Sequence, residues 1–268
     1  MMQRWSKWGV SAPPTLFLII FFLIPTLMMA FASFRYPGEF GGLAAFDWHN
    51  WRNDLTLETY QFFFSDWLYI EVFVRSFLVA GFTTLICLLM AYPVAYLIAQ
   101  SPQHYRNILV LLIILPFASN FLIRVYAWMI ILGPMGLLFS NTAVLIGMVY
   151  VHLPFMILPL YTNLEKHDPA LLNAAQDLGA TAWQRFWRIT FPLSLPGVYA
   201  GMSLVFIPVL GMFAIPELLG GPSDALIGNV IKDQFLAVRD WPFGATLSLI
   251  LTVTVLGVSA LVGRLTRR

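Results

Sequence analysis

The sequence predicts an all-α membrane protein with six transmembrane helices. Three observations carry that expectation. Apolar residues make up 59% of the 268 residues and charged ones 10%, against roughly 25% charged in a soluble domain. Six apolar runs follow one another, each near the ~20 residues needed to cross a ~30 Å hydrocarbon core. Between two of these runs lies a polar stretch, His167 to Gly197, dense in helix stop and start signals.

The first span is expected at about 14–34, after Arg4 and Lys7. Ala30-Phe31-Ala32 has the look of a signal-peptidase site. The run is longer than the ~7–15 residues of a signal core, so it reads as an uncleaved anchor. A mixed aromatic and acidic segment, 35–71, follows and does not read as a span; Trp48, Trp51 and Trp67 lie in it. Such aromatics mark a membrane–water interface or pack a small external helix. The remaining spans are expected at about 72–99, 108–132, 143–161, 197–216 and 243–262. Pro93, Pro116, Pro154 and Pro208 fall within them, which membrane helices tolerate when neighbours satisfy the freed carbonyls. Gly197 and Gly201 form a G-x-x-x-G pair that permits close helix approach.

Orientation follows from Lys and Arg asymmetry. With the N-terminus inside, nine basic residues face inward: Arg4, Lys7, Arg106, Lys166, Arg185, Arg188, Arg264, Arg267 and Arg268. Five face outward: Arg35, Arg52, Arg75, Lys232 and Arg239. Both termini are therefore expected on the cytoplasmic side, and 1–268 reads as a single transmembrane domain with a cytoplasmic loop at 163–196.

That loop can be read locally. Asp168 is a good N-cap and Pro169 fits the first helical position. Ala170 to Leu178 suits a short helix, and Gly179 sits where a helix turns off in the left-handed conformation. Thr181 and Gln184 have capping-box spacing. The second helix carries Trp183, Phe186, Trp187 and Ile189 and is expected to end near Pro192. The first helix is expected to expose little but small side chains around Ala174 and Ala175.

This helix–Gly–helix knuckle resembles the cytoplasmic coupling loop of permease subunits of binding-protein-dependent ABC importers. That loop reads E-A-A, three residues, G, nine residues, I-x-L-P. Here Asn173-Ala174-Ala175, Gly179 and Ile189-Thr190-Phe191-Pro192 keep the spacing, with Asn173 in place of Glu and Phe191 in place of Leu. The resemblance implies that Asn173, Ala174, Ala175, Asp177, Gly179, Ile189 and Pro192 dock on an ATPase. It also implies a MetI-like ABC importer permease fold in a bacterial inner membrane. The implied partners are a second, similar permease subunit, two ATPase subunits and a periplasmic solute-binding protein. No cofactor is implied for this chain; ATP and magnesium belong to the partner ATPase.

Arg124 is a strong charge inside a span, and such groups face the protein interior or water. About eight residues from the external end, roughly 12 Å at 1.5 Å per residue, it either snorkels outward or pairs with a carboxylate such as Glu217. The run Leu122-Ile123-Arg124-Val125-Tyr126-Ala127-Trp128 resembles the polyamine branch of these permeases, as does Ile215-Pro216-Glu217-Leu218-Leu219-Gly220-Gly221. The resemblance makes Arg124, Tyr126, Trp128, Glu217 and Asp224 candidates for a substrate path carrying a polyamine such as putrescine or spermidine. Ten acidic residues in the external segments suit a cationic solute. Glu217 is read equally as a solvated carboxylate or as the structural partner of Arg124.

Other chemistries find no support in the residues. There is no P-loop and no G-x-S-x-G nucleophile arrangement. The four histidines lack metal-ligand spacing and read as interfacial or core residues. Cys87 is the single cysteine, so no intramolecular disulfide or multi-cysteine metal site is available. A net charge of +2, with no basic block beyond the short tail Arg264 to Arg268, gives no indication of a nucleic-acid surface. A stand-alone secondary transporter is the alternative class, but it needs an inverted repeat or ion-coupling carboxylates within the spans; neither is visible.

Overall fold

A computed structural model describes residues 12–46, 49 and 53–265. Arg4, Lys7, Trp48, Trp51, Arg52, Arg267 and Arg268 lie outside the described residues. The described residues are helical apart from connecting segments and two isolated β-bridges, Arg35 with Leu55 and Pro37 with Leu43. The helices are α1 (Ala12–Ala32), α2 (Glu58–Ser65), α3 (Trp67–Gln100), α4 (Gln103–Ile114) and α5 (Phe121–Leu132). They continue as α6 (Asn141–Leu164), α7 (Pro169–Asp177), α8 (Ala182–Leu210), α9 (Ala214–Leu219), α10 (Ile227–Asp233) and α11 (Trp241–Leu265). Among the described residues, five helices are long and apolar enough to span a membrane: α1, α3, α6, α8 and α11. The count is six if α4 and α5 form one broken span.

Two compact units are present. The first comprises residues 1–70 and 230–258. In it, Ser33 at the end of α1 is buried and bonds Tyr60 Oη at 2.7 Å, while its carbonyl accepts from Thr59 Oγ1 at 3.0 Å. Thr246 of α11 donates to the same carbonyl at 3.3 Å. Arg35 is buried under Phe46, with its guanidinium carbon 4.5 Å from the ring centre, and donates to the Ala44 carbonyl at 2.7 Å. The aromatic segment also packs: Phe62 of α2 lies edge-on to Phe243 at 5.3 Å. Trp67, in contrast, is exposed.

The second unit comprises 71–229 and 259–268. Its core forms where α6 packs along α8. Small residues set that distance. A Cβ on Gly197 would stand 2.7 Å from Asn163 Cβ and 3.1 Å from the Pro159 carbonyl oxygen, and one on Gly201 2.7 Å from Met156 Sδ. The G-x-x-x-G pair therefore marks a real close approach. Cys87 is buried with Ala80, Ala91 and Ala95 along α3, and its Sγ lies 3.7 Å from the Val149 carbonyl of α6.

Three boundaries differ from expectation. The span expected at 108–132 is broken: a 3-10 turn, Leu115–Ala118, ends the first half, and α5 leaves at 90° to it. Pro116 donates no backbone bond, Ser119 is extended, and Asn120 caps α5 by accepting from Leu122 N at 2.8 Å. The second expected boundary, a helix stop at Pro192, does not occur. Residues Phe186–Thr190 form a π-turn, in which Phe191 N–H reaches the Phe186 carbonyl, and α8 runs on through Pro192 to Leu210. The wider π-turn shifts the bonding register, so the missing proline N–H and the ring's clash are absorbed. Last, the span expected to reach 216 ends at Leu210; Pro216 lies inside the separate helix α9.

Candidate functional site

The knuckle forms largely as its local signals dictate. Asp168 caps α7 by accepting from Ala170 N at 2.9 Å, and Pro169 opens the helix. Gly179 has φ +82°, the left-handed region where a Cβ is disfavoured. The capping box is reciprocal: Gln184 N donates to Thr181 Oγ1 at 3.3 Å, and Thr181 N to Gln184 Oε1 at 3.0 Å. Arg185 closes the hairpin by donating to Gln176 Oε1 at 2.8 Å.

Asn173, Ala174, Asp177, Gly179 and Pro192 are exposed, while Ala175 and Ile189 are half-buried. A cleft of about 410 Å³ brings together Ala175, Leu178, Gly179, Arg185, Arg188 and Ile189. The expectation that α7 exposes little but small side chains is corrected here. Leu171 within α7 is 49% exposed and Leu178 at its end 89%, and Trp183 at the start of α8 is 71% exposed, so the knuckle presents large apolar groups as well as the alanines. Apolar groups presented in this way at a polar knuckle make a surface suited to a protein groove.

Behind the knuckle, aromatic rings tie it to the spans. Phe186, in the π-turn, stands edge-on to Tyr92 at 5.6 Å and to Tyr96 at 6.4 Å. Tyr92 Oη bonds Ser194 Oγ at 2.9 Å. A second cavity, about 530 Å³, lies against the start of α7 and is lined by Tyr96, Arg106, Glu165, His167 and Ile189 among others. Arg106 pairs with Glu165 at 2.8 Å and donates to the Ala99 carbonyl at 2.7 Å. A hydrogen bond from the Tyr161 hydroxyl, then Arg106, hold the Glu165 carboxyl below its ordinary value against the opposing effect of burial. The sequence reading missed this pair and the Arg185–Gln176 bond, because neither separation matches a helical repeat.

The candidate path residues lie on α5, α9 and the turn that follows, and α9 packs against both α5 and α6. Arg124 is not eight residues deep in a straight helix; it sits in the first turn of α5, beside the break. It is half-buried, its guanidinium carbon lies 5.6 Å from the Phe117 ring centre, and its Nε is buried without a hydrogen-bond partner. Tyr126 is exposed, and Trp128 stands edge-on to Tyr150 of α6 at 5.5 Å. Glu217 is exposed on α9, whose Ile215, Pro216 and Leu219 are buried.

Asp224, a candidate path residue by resemblance, is closed off from solvent. It is buried, with Oδ1 accepting from Arg75 Nη2 at 2.6 Å and Oδ2 from Gly221 N at 2.8 Å. Arg75, read from sequence as one more outward charge, is thereby part of the site. No spacing rule links residues 149 positions apart.

Comparison with known proteins places this arrangement. Residues 91–268 match the family described as binding-protein-dependent transport system inner membrane component. The chain is 42% identical over 253 residues to the spermidine/putrescine transport system permease protein PotB of Haemophilus influenzae, covering 88% of this chain and 85% of that one. It is 41% identical over 264 residues to PotB of Escherichia coli K12, covering 91% and 92%. Solved structures share the fold at lower identity. One is a bacterial alginate ABC transporter in complex with its pentasaccharide-bound periplasmic protein, with TM-score 0.74, 17% identity, and coverage of 100% of this chain and 96% of that one. Another is the inward-facing methionine transporter MetNI, with TM-score 0.62, 18% identity, and coverage of 75% and 95%. The chain belongs to the binding-protein-dependent transport family, and it is a non-catalytic, multi-pass inner-membrane permease subunit of an ABC importer.

Proposed function

We propose that this permease imports a polyamine such as putrescine or spermidine. The observation that carries the reading is the 41–42% identity, over about nine-tenths of the chain, to permeases named for those two solutes. The acidic excess of the outer segments and the aromatic groups at Tyr126 and Trp128 support it, since both attract organic cations.

In this reading α4 and α5 together count as one span, making six, and both termini lie in the cytoplasm. The two units serve one permease domain. A second permease subunit, two ATPase subunits and a periplasmic solute-binding protein complete the importer. The knuckle residues Asn173, Ala174, Ala175, Asp177, Gly179, Ile189 and Pro192 form and support the coupling surface, with Leu178 and Trp183 adding apolar contact. ATP-driven closure of the ATPases moves the knuckle, and the π-turn aromatics pass that motion to α3 and α8. The spans alternate between outward and inward access. Arg124, Tyr126, Trp128 and Glu217 border the solute path, and Asp224 shapes its mouth through Arg75.

The test is reconstitution with the partner subunits in proteoliposomes, with putrescine, spermidine and an uncharged solute offered through the binding protein. Polyamine-stimulated ATP hydrolysis and uptake are expected, together with a weaker response in Glu217→Gln. Stimulation by neutral solutes alone contradicts the polyamine reading.

A further inference from the structure

The segment after α8 is short, turns sharply and holds a buried carboxylate. α9 has six residues, too few to be stable as an isolated helix. Its buried face packs against α5 and α6, and ties at its two ends fix it in place along that surface. Before it, the Phe213 carbonyl accepts from Asn229 Nδ2 at 2.9 Å. At its end, the Leu219 carbonyl accepts from Phe139 N at 2.9 Å. The next residues, Gly220 to Asp224, form a tight turn in which Asp224 caps Gly221.

Arg75 holds that turn. Its Nη2 donates to Asp224 Oδ1 at 2.6 Å and to Asn141 Oδ1, at the start of α6, at 2.7 Å. Its Nη1 donates to the Ser223 carbonyl. The neighbouring Ser76 Oγ accepts from Ile227 N at 2.8 Å. Two consecutive residues of α3 thus grip the chain on the far side of α9. A guanidinium fork reaches several acceptors in fixed directions, and an ammonium group does not reproduce that geometry. Removing Arg75 leaves a buried carboxylate without its cation, which the turn would relieve by moving.

We propose that Arg75 is a positioning residue for transport: through Asp224 and Ser223 it sets the depth and orientation of α9, and so of Glu217. Its consequence for transport rests on the reading above that Glu217 borders the solute path; its effect on α9 does not.

The experiment uses the assembled importer in nanodiscs with Cys87→Ser and a single new cysteine. With Glu217→Cys, the rate of labelling by a water-soluble maleimide reports the placement of α9. Arg75→Gln and the near-isosteric Asp224→Asn are each expected to change that rate by about fivefold or more, as local repositioning does. Arg75→Lys should fall between, and labelling at a Tyr105→Cys control, at an exposed position with no part in the site, should not change. An unchanged rate at position 217 in both Arg75→Gln and Asp224→Asn overturns the proposal. In the native-cysteine protein, polyamine-stimulated ATP hydrolysis is then measured for Arg75→Gln, Glu217→Gln and the pair. The double variant should be no worse than the more severe single one, because both act through one group. Fully additive losses overturn the link from Arg75 to Glu217. A silent Glu217→Gln with a shifted labelling rate supports the positioning of α9 and instead overturns the path reading.

Discussion

Arg185 donates to Gln176 Oε1 at 2.8 Å across the Gly179 turn, so the two helices of the knuckle are joined both by backbone and by side chain. The bond is exposed to water that can replace it, so it contributes about 0.5 kcal/mol, the low end for a hydrogen bond. The Thr181 cap is worth about 1 kcal/mol. Thr181→Ala should therefore weaken ATPase binding to the permease more than Arg185→Ala does. Titration of the ATPase onto nanodisc-embedded permease measures both. Equal or reversed effects contradict a knuckle whose shape is set mainly by its caps.

The two glycines at the crossing of α6 and α8 should respond unequally. A methyl on Gly201 meets first the Met156 sulfur, a flexible side chain that can shift. One on Gly197 meets first Asn163 Cβ, which is fixed to its backbone and shifts less readily; both sites also crowd a backbone carbonyl oxygen, that of Pro159 at 3.1 Å for Gly197 and that of Met156 at 3.2 Å for Gly201. Gly197→Ala should lower thermal stability by about 1–3 kcal/mol, the usual range for overpacking, and Gly201→Ala by less. Melting curves of the purified permease check the order.

A pH effect is expected from Glu165, whose carboxyl is held below its ordinary value of 4.5 by Tyr161 and then Arg106. A depressed carboxylate stabilises the fold fully above its unfolded value and loses that contribution as pH falls through the folded value. The group is a third exposed, so the effect is modest. Stability should fall below pH 4.5, and Glu165→Gln should make that fall shallower. An identical acid profile in the variant counts against the Arg106–Glu165 staple.

Arg124 sits against Phe117 at the break between α4 and α5. Arg124→Leu removes the charge and a cation–π contact of about 0.5–2 kcal/mol. Uptake should drop with complex yield preserved, and Arg124→Lys should retain part of it. Unchanged uptake in Arg124→Leu removes Arg124 from the path.

What the sequence made legible was local. Asp168, Gly179 and the Thr181–Gln184 pair each act within three or four residues, so their spacing alone places the knuckle. The apolar runs located the long helices for the same reason, since span length is a local property. The break at Ser119-Asn120 escaped because hydropathy runs on through it, although Asn120 before an apolar run is an N-cap signal. The π-turn at Phe186–Thr190 has no compositional signature, so Pro192 was read as a stop. Arg75 and Asp224 meet only through the fold, which hid both the buried state of the carboxylate and the role of the arginine.

The central claim is that the knuckle transmits ATPase motion to the spans. Solute-stimulated ATP hydrolysis by the reconstituted importer, measured alongside uptake, tests it most directly in Gly179→Asp and Ala175→Trp. The first puts a Cβ and a charge at a φ of +82°; the second fills the cleft beside Leu178 and Ile189. Neither residue lies in a long apolar helix, so insertion and yield should be normal. Both variants should lose stimulated hydrolysis and uptake together, with Asn173→Ala milder than either. Full stimulated hydrolysis and full uptake in both would contradict the account.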